Sequence, residues 1–148
     1  MQSEEKIAVL NIPYELFTLI KQHGERSFPE ECLGLLLGKC NADTRLVHSL
    51  IPVKNSATSR RTEFALSETD LLKAEKIAAR QNLDVIGIYH SHADFDAVAS
   101  KKDRDFAFPF LSYPIVSVLD GKAVAVKSFA FIGGTKKTDF TEEEIICL

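Results

Sequence analysis

The stretch IYHSHADFDAVASKKDRD, residues 88–105, contains two histidines separated by a single residue. With the preceding DVIG, it begins as an apolar segment of the length of a strand. Because side chains alternate along a strand, His90 and His92 project on the same face and Ser91 points away. Two imidazoles at this separation can converge on one metal ion. The stretch therefore predicts a strand whose end presents two candidate metal ligands.

Ser100 and Asp103, later in the same stretch, have two possible roles. Their spacing is typical of a capping box, with Ser100 at the N-cap and Asp103 in the first turn of a helix. Alternatively, Asp103 supplies a third ligand beside His90 and His92, because ADFDAVA is long enough for the chain to turn back. The roles are compatible, since a capping serine can still offer its hydroxyl to a substrate. The full pattern H-x-H-x7-S-x2-D arises by chance in such a chain on the order of once in several thousand, so we favour a metal site.

A site of this kind also needs a group that moves protons. Three protein ligands with an open fourth position are typical of catalytic zinc, where a bound water has a pKa of about 7. A carboxylate can accept a proton from that water and deliver one to a leaving group. The segment FPEECLGLLLG places Glu30 and Glu31 at the start of an apolar strand. Periodicity does not choose between the two, and both are also compatible with solvated glutamates.

Outward from the histidines, apolar strands alternate with amphipathic helices. One helix is predicted between NIP and Gly24, and another runs from Ser67 to about Arg80. The dipeptide Asp120-Gly121 predicts a hairpin turn. The predicted strands are CLGLLLGKC, RLVHSLIPV, TEFAL, DVIGIYHSH and the two arms of YPIVSVLDGKAVAVKSFAFI, with TDFTEEEIICL as a candidate edge strand. This order indicates an α/β protein with a mixed sheet.

The composition is that of an ordinary soluble domain, and we predict one domain over residues 1–148. The net charge is −3 and 45% of the residues are hydrophobic. Neither nucleic-acid nor membrane binding is indicated, because basic clusters are short and no apolar run could span a bilayer. The N-terminal MQSEEKIAVLNIP lacks the layout of a signal peptide. Cys32, Cys40 and Cys147 are widely spaced, which favours buried, reduced thiols in a cytoplasmic protein.

The motifs together resemble those of the JAMM (MPN+) metalloprotease family. That pattern has a glutamate three residues before a glycine in an apolar strand, then H-S/T-H-x7-S-x2-D. The matching positions are Glu31, Gly34, His90, Ser91, His92, Ser100 and Asp103. The resemblance extends from about Ile12 to Ile132.

This resemblance implies a fold, a site and a substrate class. The fold would be three-layer α/β/α with a mixed sheet, similar to cytidine deaminases. One zinc ion would be held by His90, His92 and Asp103, with Glu31 as general acid/base and Ser100 stabilising the oxyanion. A zinc-bound water would hydrolyse an amide bond at the C-terminal tail of a ubiquitin-like or sulfur-carrier protein. The choice of Glu31 over Glu30 rests on the family spacing to Gly34.

The chain departs from the family pattern at Ala93, where a proline is usual. Loss of that fixed backbone angle is expected to loosen the loop after His92 without touching a ligand. The alternatives are a catalytically inactive MPN scaffold that binds partners, or a RadC-like JAB-domain protein. An inactive scaffold typically loses ligands, and a RadC-like chain would read H-N-H-P. A nucleoside deaminase would need H-x-E together with P-C-x-x-C, and no P-C-x-x-C occurs in the sequence.

A possible substrate edge is KNSATSRRTEFAL, residues 54–66, which becomes strand-like at Thr62. An extended tail could add to such an edge as a further strand. A surface connection without a binding role fits the same residues equally well.

Overall fold

The computed structural model describes residues 8–42 and 44–148. The elements, in chain order, are β1 (Val9–Ile12), α1 (Tyr14–Ser27), β2 (Leu33–Asn41), β3 (Thr44–Val53), α2 (Glu68–Arg80), β4 (Asp84–Ala93), α3 (Lys101–Phe106), β5 (Tyr113–Leu119), β6 (Lys122–Phe131), a 3-10 turn (Lys137–Asp139) and β7 (Phe140–Cys147). Most of the N-terminal stretch considered for a signal peptide lies outside these residues.

The seven strands form one closed sheet in the order β1-β3-β2-β4-β5-β6-β7. Strand β1 runs parallel to both β3 and β7, and β4 runs parallel to β5. The remaining neighbours are antiparallel. The predictions of an α/β protein and a mixed sheet are confirmed, and the three-layer description stays a prediction.

Two buried apolar clusters pack against the sheet, each with its own helix. Leu35 belongs to one cluster with Ala74 of α2, and Leu36 belongs to the other with Ile20 of α1. Adjacent residues of β2 serve different clusters because strand side chains alternate. This explains why CLGLLLGKC is apolar at consecutive positions rather than at every second one.

Several predicted elements are found where the sequence placed them. Ser67 caps α2 by accepting a hydrogen bond from the Asp70 amide at 3.1 Å. The hairpin between β5 and β6 turns at Asp120 and Gly121, whose φ angles of 49° and 82° are both positive. A two-residue turn with positive φ at both positions matches the twist of antiparallel strands. The cap residue Ser67 and the turn residues Asp120 and Gly121 therefore correctly predicted the start of α2 and the hairpin.

Other predictions about the elements are wrong. Helix α1 continues past Gly24 to Ser27. Gly24 instead lies against the sheet, where a Cβ would come within 3.1 Å of Val118 Cγ2, so the glycine serves close helix–sheet packing. Strand β1 was missed, and β7 is not an edge strand because β1 pairs with its free side. TEFAL is not a strand but part of the loop between β3 and α2.

The cysteines and the helices bear on the remaining compositional predictions. All three thiols are free, but only Cys32 is buried while Cys40 and Cys147 are exposed, so the expectation of buried thiols is wrong for two. Within the described ranges, no helix is long and apolar enough to cross a membrane. The cytoplasmic location stays a prediction.

Candidate metal centre

The two histidines lie near the C-terminal end of β4, at the point where its neighbours change. Strand β4 pairs with β2 as far as His90, opposite Leu33, and with β5 as far as Ala93. A bulge in the β2–β4 ladder leaves Ile86 without an opposite residue. His90 is completely buried and His92 is 7% exposed. The strand therefore holds both imidazoles firmly inside the protein.

The side chains of His90, His92 and Asp103 converge on one point. The two Nε2 atoms are 3.3 Å apart. Asp103 places Oδ1 at 3.2 Å from His90 Nε2 and Oδ2 at 3.1 Å from His92 Nε2. Tetrahedral ligands at about 2.0–2.1 Å from a zinc ion are themselves about 3.3 Å apart. The spacing and chemistry of these donor atoms fit a zinc ion.

Asp103 is brought to the histidines by the helix cap that the sequence predicted. Ser100 Oγ accepts a hydrogen bond from the Asp103 amide at 3.1 Å, and the Ser100 amide donates to Asp103 Oδ2 at 2.9 Å. This reciprocal pair is a capping box at the start of α3. Asp103 thus takes part in the capping box of α3 and also lies beside the two imidazoles.

The contacts of each imidazole differ on the side away from Asp103. His92 Nδ1 lies 2.8 Å from the Asp96 carbonyl oxygen, to which it can only donate. The neutral ring therefore carries its lone pair on Nε2, and the hydrogen bond from Nε2 to Asp103 forms only when the ring is protonated. His90 Nδ1 is buried with no hydrogen-bond partner among the described residues. Instead, the ring of Phe64 lies over His90 with 4.2 Å between the ring centroids. One imidazole is therefore oriented by a hydrogen bond and the other by packing.

Asp103 and the fully buried His90 favour the charge states that bind a metal cation, whereas His92 must lose a proton to do so. Burial lowers the pKa of His90, despite the hydrogen bond and charge of Asp103, so this imidazole is neutral. Burial acts against charge on His92 as well, but the hydrogen bonds with Asp103 and Asp96 raise its pKa overall. Burial would raise the pKa of Asp103, yet the hydrogen bonds from both histidines hold it well below its usual range. An ionised carboxylate and a neutral imidazole are the forms that bind metal.

Glu31, and not Glu30, faces this centre. A carboxylate oxygen of Glu31 lies within 4.8 Å of ring nitrogens of both His90 and His92, and the residue is buried. Burial raises the pKa of Glu31 to about 7, although the charge of nearby His92 acts to lower it. Glu30 is partly exposed and pairs with Arg60 at 3.3 Å. The structure thus separates the two glutamates that sequence periodicity left equivalent.

Gly34, on β2 and three residues after Glu31, has a packing role. A Cβ at Gly34 would lie 2.1–2.3 Å from the ring of Tyr89, which is buried next to His90. The Tyr89 hydroxyl in turn lies 2.8 Å from His23 Nδ1. A side chain at position 34 would displace Tyr89 and with it the strand that carries the histidines.

An open cleft of about 530 Å³ leads to the centre. It is bordered on one side by the loop between β3 and α2 and on the other by the loop after β4. Its lining residues are Glu31, Thr62, Glu63, Phe64, His92, Phe95, Asp96, Val98, Ser100, Lys102, Asp103 and Phe106. All the predicted site residues except the fully buried His90 line this cleft.

The loop after Ala93 is held in place without the usual proline. The Asp94 amide donates to the Val118 carbonyl at 2.8 Å, and Ser117 Oγ donates to the Phe95 carbonyl at 2.6 Å. Asp94 Oδ1 accepts from the Asp120 amide at 2.9 Å. Hydrogen bonds to β5 and its hairpin turn therefore fix the loop where proline would have restricted it.

Two residues near the centre were missed as contributors to the site. Phe64, which covers His90, lies in TEFAL, whose composition predicts a strand and gives no indication of a role at the site. Asn55 is buried beneath the loop between β3 and α2, although it sits among the small polar residues NSATS. Such polar segments are usually exposed loops, so no local signal distinguishes the one buried amide.

Comparison with known proteins places the chain in a family. The family model described as prokaryotic homologs of the JAB domain matches residues 13–132, and the chain belongs to this family. The chain is 35% identical over 95 residues to a protein of Thermus thermophilus named probable TtuB-protein conjugate cleaving protease, covering 64% of this chain and 61% of that one. It is 34% identical over 98 residues to a desampylase of Haloferax volcanii, covering 66% and 68%. The chain thus matches about three fifths of the length of the Thermus relative.

Similarity to other proteins extends over nearly the whole chain. A CysO-cysteine peptidase of Mycobacterium tuberculosis is 29% identical over 140 residues, covering 94% of this chain and 91% of that one. A solution structure of a Desulfitobacterium hafniense protein superimposes with a TM-score of 0.80 at 31% identity, covering 94% and 92%. The fold described above is therefore shared by a solved relative.

Proposed function

We propose that this protein is a zinc-dependent peptidase or isopeptidase that hydrolyses an amide bond at the C-terminal tail of a ubiquitin-like or sulfur-carrier protein. The observation that carries the proposal is the convergence of His90, His92 and Asp103, with donor atoms 3.1–3.3 Å apart, beside the buried carboxylate of Glu31. Relatives named for cleaving protein conjugates or a carrier–cysteine product support the substrate class. On the same grounds, we propose that the chain is a single catalytic domain with the three-layer α/β/α arrangement of the family.

Each residue would have a distinct part in the reaction. His90, His92 and Asp103 would hold the zinc ion, which supplies Lewis-acid activation of water and of the amide carbonyl. Glu31, which lines the cleft, would accept a proton from the nucleophile and deliver it to the leaving amine. Ser100 would donate its hydroxyl hydrogen to the carbonyl oxygen as negative charge develops there. Water is added across the amide, giving a carrier with a free carboxylate and a free amine.

The substrate class can be tested with a defined conjugate. A small β-grasp carrier whose Gly-Gly tail is amide-linked to lysine or to a free amino acid is incubated with the zinc-loaded protein. Mass spectrometry is expected to show the carrier with a free C-terminal carboxylate. A chelator should stop the release and added zinc should restore it. A conjugate that stays intact in the presence of the zinc-loaded protein would contradict the proposed function.

Ser100 allows its two roles to be separated. Ser100→Ala should retain zinc, lower kcat by roughly 10²–10³-fold through loss of an oxyanion donor, and cost about 1 kcal/mol of stability through loss of the cap. Ser67→Ala is the matched control, because Ser67 makes the same 3.1 Å cap bond on α2 and does not line the cleft. Turnover and thermal unfolding are measured for both variants. Equal turnover in the two would show that Ser100 acts only as a cap.

A further inference from the structure

Glu31 lies just outside the part of β2 that the sheet holds. The ladders of β2 with β3 and with β4 both begin at Leu33, opposite Val53 and His90 respectively. Backbone groups before Leu33 therefore need partners from elsewhere. The position of the Glu31 carboxylate depends on those partners.

The partners of the Glu31 backbone come from the loop between β3 and α2. The Glu31 amide donates to the Arg60 carbonyl at 2.6 Å, and the Glu31 carbonyl accepts from Asn55 Nδ2 at 3.0 Å. The next residue is held from the other side, where Ser91 Oγ accepts from the Cys32 amide at 2.8 Å. The loop and the metal-bearing strand thus grip this segment between them.

Asn55 is the centre of the loop that supplies these partners. Its side chain is 7% exposed and makes four hydrogen bonds. Nδ2 donates to the carbonyls of Glu31 and Glu63 at 3.0 and 2.8 Å, and Oδ1 accepts from the amides of Ala57 and Ala65, each at 3.0 Å. Both amide hydrogens and both oxygen lone pairs are used. A fully satisfied buried amide fixes the conformation of everything it binds.

The Asn55 side-chain amide connects Glu31 to the wall of the cleft formed by residues 62–64. One Nδ2 hydrogen bond ends on the backbone of Glu31 and the other on Glu63, which precedes the Phe64 ring over His90. Thr62, Glu63 and Phe64 all line the cleft. Displacement of the Asn55 side chain would therefore move the Glu31 carboxylate and this wall of the cleft together.

We propose that Asn55 is a positioning residue, which holds the Glu31 backbone and the cleft-lining segment 62–64 in a fixed relation to the metal-bearing strand. The inference rests on the proposed peptidase function for its catalytic consequence. Its structural content, one rigid unit formed by Glu31 and the loop, stands apart from activity. A misplacement of about 1 Å can lower a rate by 10²-fold.

Hydrogen exchange of the wild-type protein tests the rigid unit directly. The amides of Glu31, Ala57 and Ala65 are expected to show one common protection factor, larger than that of the exposed Thr58 amide. Exchange of Ala57 and Ala65 well before Glu31 would mean that the loop opens independently and would overturn the proposal. This measurement requires neither turnover nor a substituted protein, so it is distinguishable from failure of the proposed function.

Substitution tests the catalytic consequence. Asn55→Asp keeps the size and the accepting oxygen but removes both donated bonds, and Asn55→Ala removes all four. Either folded variant should retain zinc, show faster Glu31 amide exchange by at least about tenfold, and lower kcat by roughly 10–100-fold with a smaller change in KM. Ser56→Ala is the control, since the adjacent Ser56 side chain is exposed. Among the described residues, Ser56 forms a hydrogen bond only through its backbone amide, which donates to the Ala65 carbonyl at 2.9 Å. Unchanged kcat in a folded variant, with only a lower Tm, would reduce Asn55 to a structural residue and overturn the proposal.

Discussion

Replacing His92 with alanine is expected to release the metal completely and to reduce hydrolysis to the background rate. The wild-type protein should carry about one zinc ion per chain, because three convergent donor atoms are typical of a catalytic site. Without the His92 imidazole, the proposed three-residue ligand set is reduced to His90 Nε2 and the Asp103 carboxylate, which lie 3.2 Å apart. Metal content by elemental analysis and turnover by conjugate cleavage are measured on the same samples.

His48→Ala is the matched control for this prediction. His48 is an exposed histidine on β3, outside the residues that line the cleft, so its variant should keep both zinc and activity. The metal-free protein should still fold, because two apolar clusters pack against a closed sheet without help from the site. Wild-type protein that does not bind added zinc would contradict the proposed catalytic role of this site. Unfolding by a chelator would instead indicate a structural site.

Glu31→Gln is expected to lower kcat by roughly 10²–10⁴-fold while zinc remains bound, because the amide cannot accept a proton from the nucleophile. The substitution keeps the size of a side chain that is only 5% exposed, so packing changes little. It also removes a carboxyl group whose pKa burial raises to about 7, near the value at which proton transfer in either direction is efficient. Single-turnover rates and metal content are the measurements.

Glu30→Gln provides the control one residue away. Glu30 is partly exposed and its only described ion pair, with Arg60, is on the surface, where such pairs contribute about 0–1 kcal/mol. This variant should therefore match the wild type in turnover, zinc content and stability to within that amount. An active Glu31→Gln beside an inactive Glu30→Gln would show that the assignment is displaced by one residue.

The sequence by itself was sufficient where the relevant interactions are local. The alternation that puts His90 and His92 on one face, the cap formed by Ser100 and Asp103, and the turn at Asp120 each depend on neighbours within a few residues. The candidate ligand set could be named from the sequence because these local patterns coincide with the family spacing, and its role in binding metal stays a prediction. The contrast between Glu30 and Glu31 was settled only by that resemblance, not by periodicity.

Tertiary structure alone decided the features that depend on distant segments. Gly24 lies inside α1 and not at its end, and its lack of a side chain lets the helix pack closely against Val118, far along the chain. TEFAL has strand-like composition but lies in a loop, where Asn55 accepts from the Ala65 amide and donates to the Glu63 carbonyl. Those hydrogen bonds take the place of a strand ladder, and no residue-by-residue preference encodes them. The convergence of His90, His92 and Asp103 could thus be predicted from the sequence, whereas the contacts that hold Glu31 and Phe64 beside them arise only when the loop, β2 and β4 meet in the folded chain.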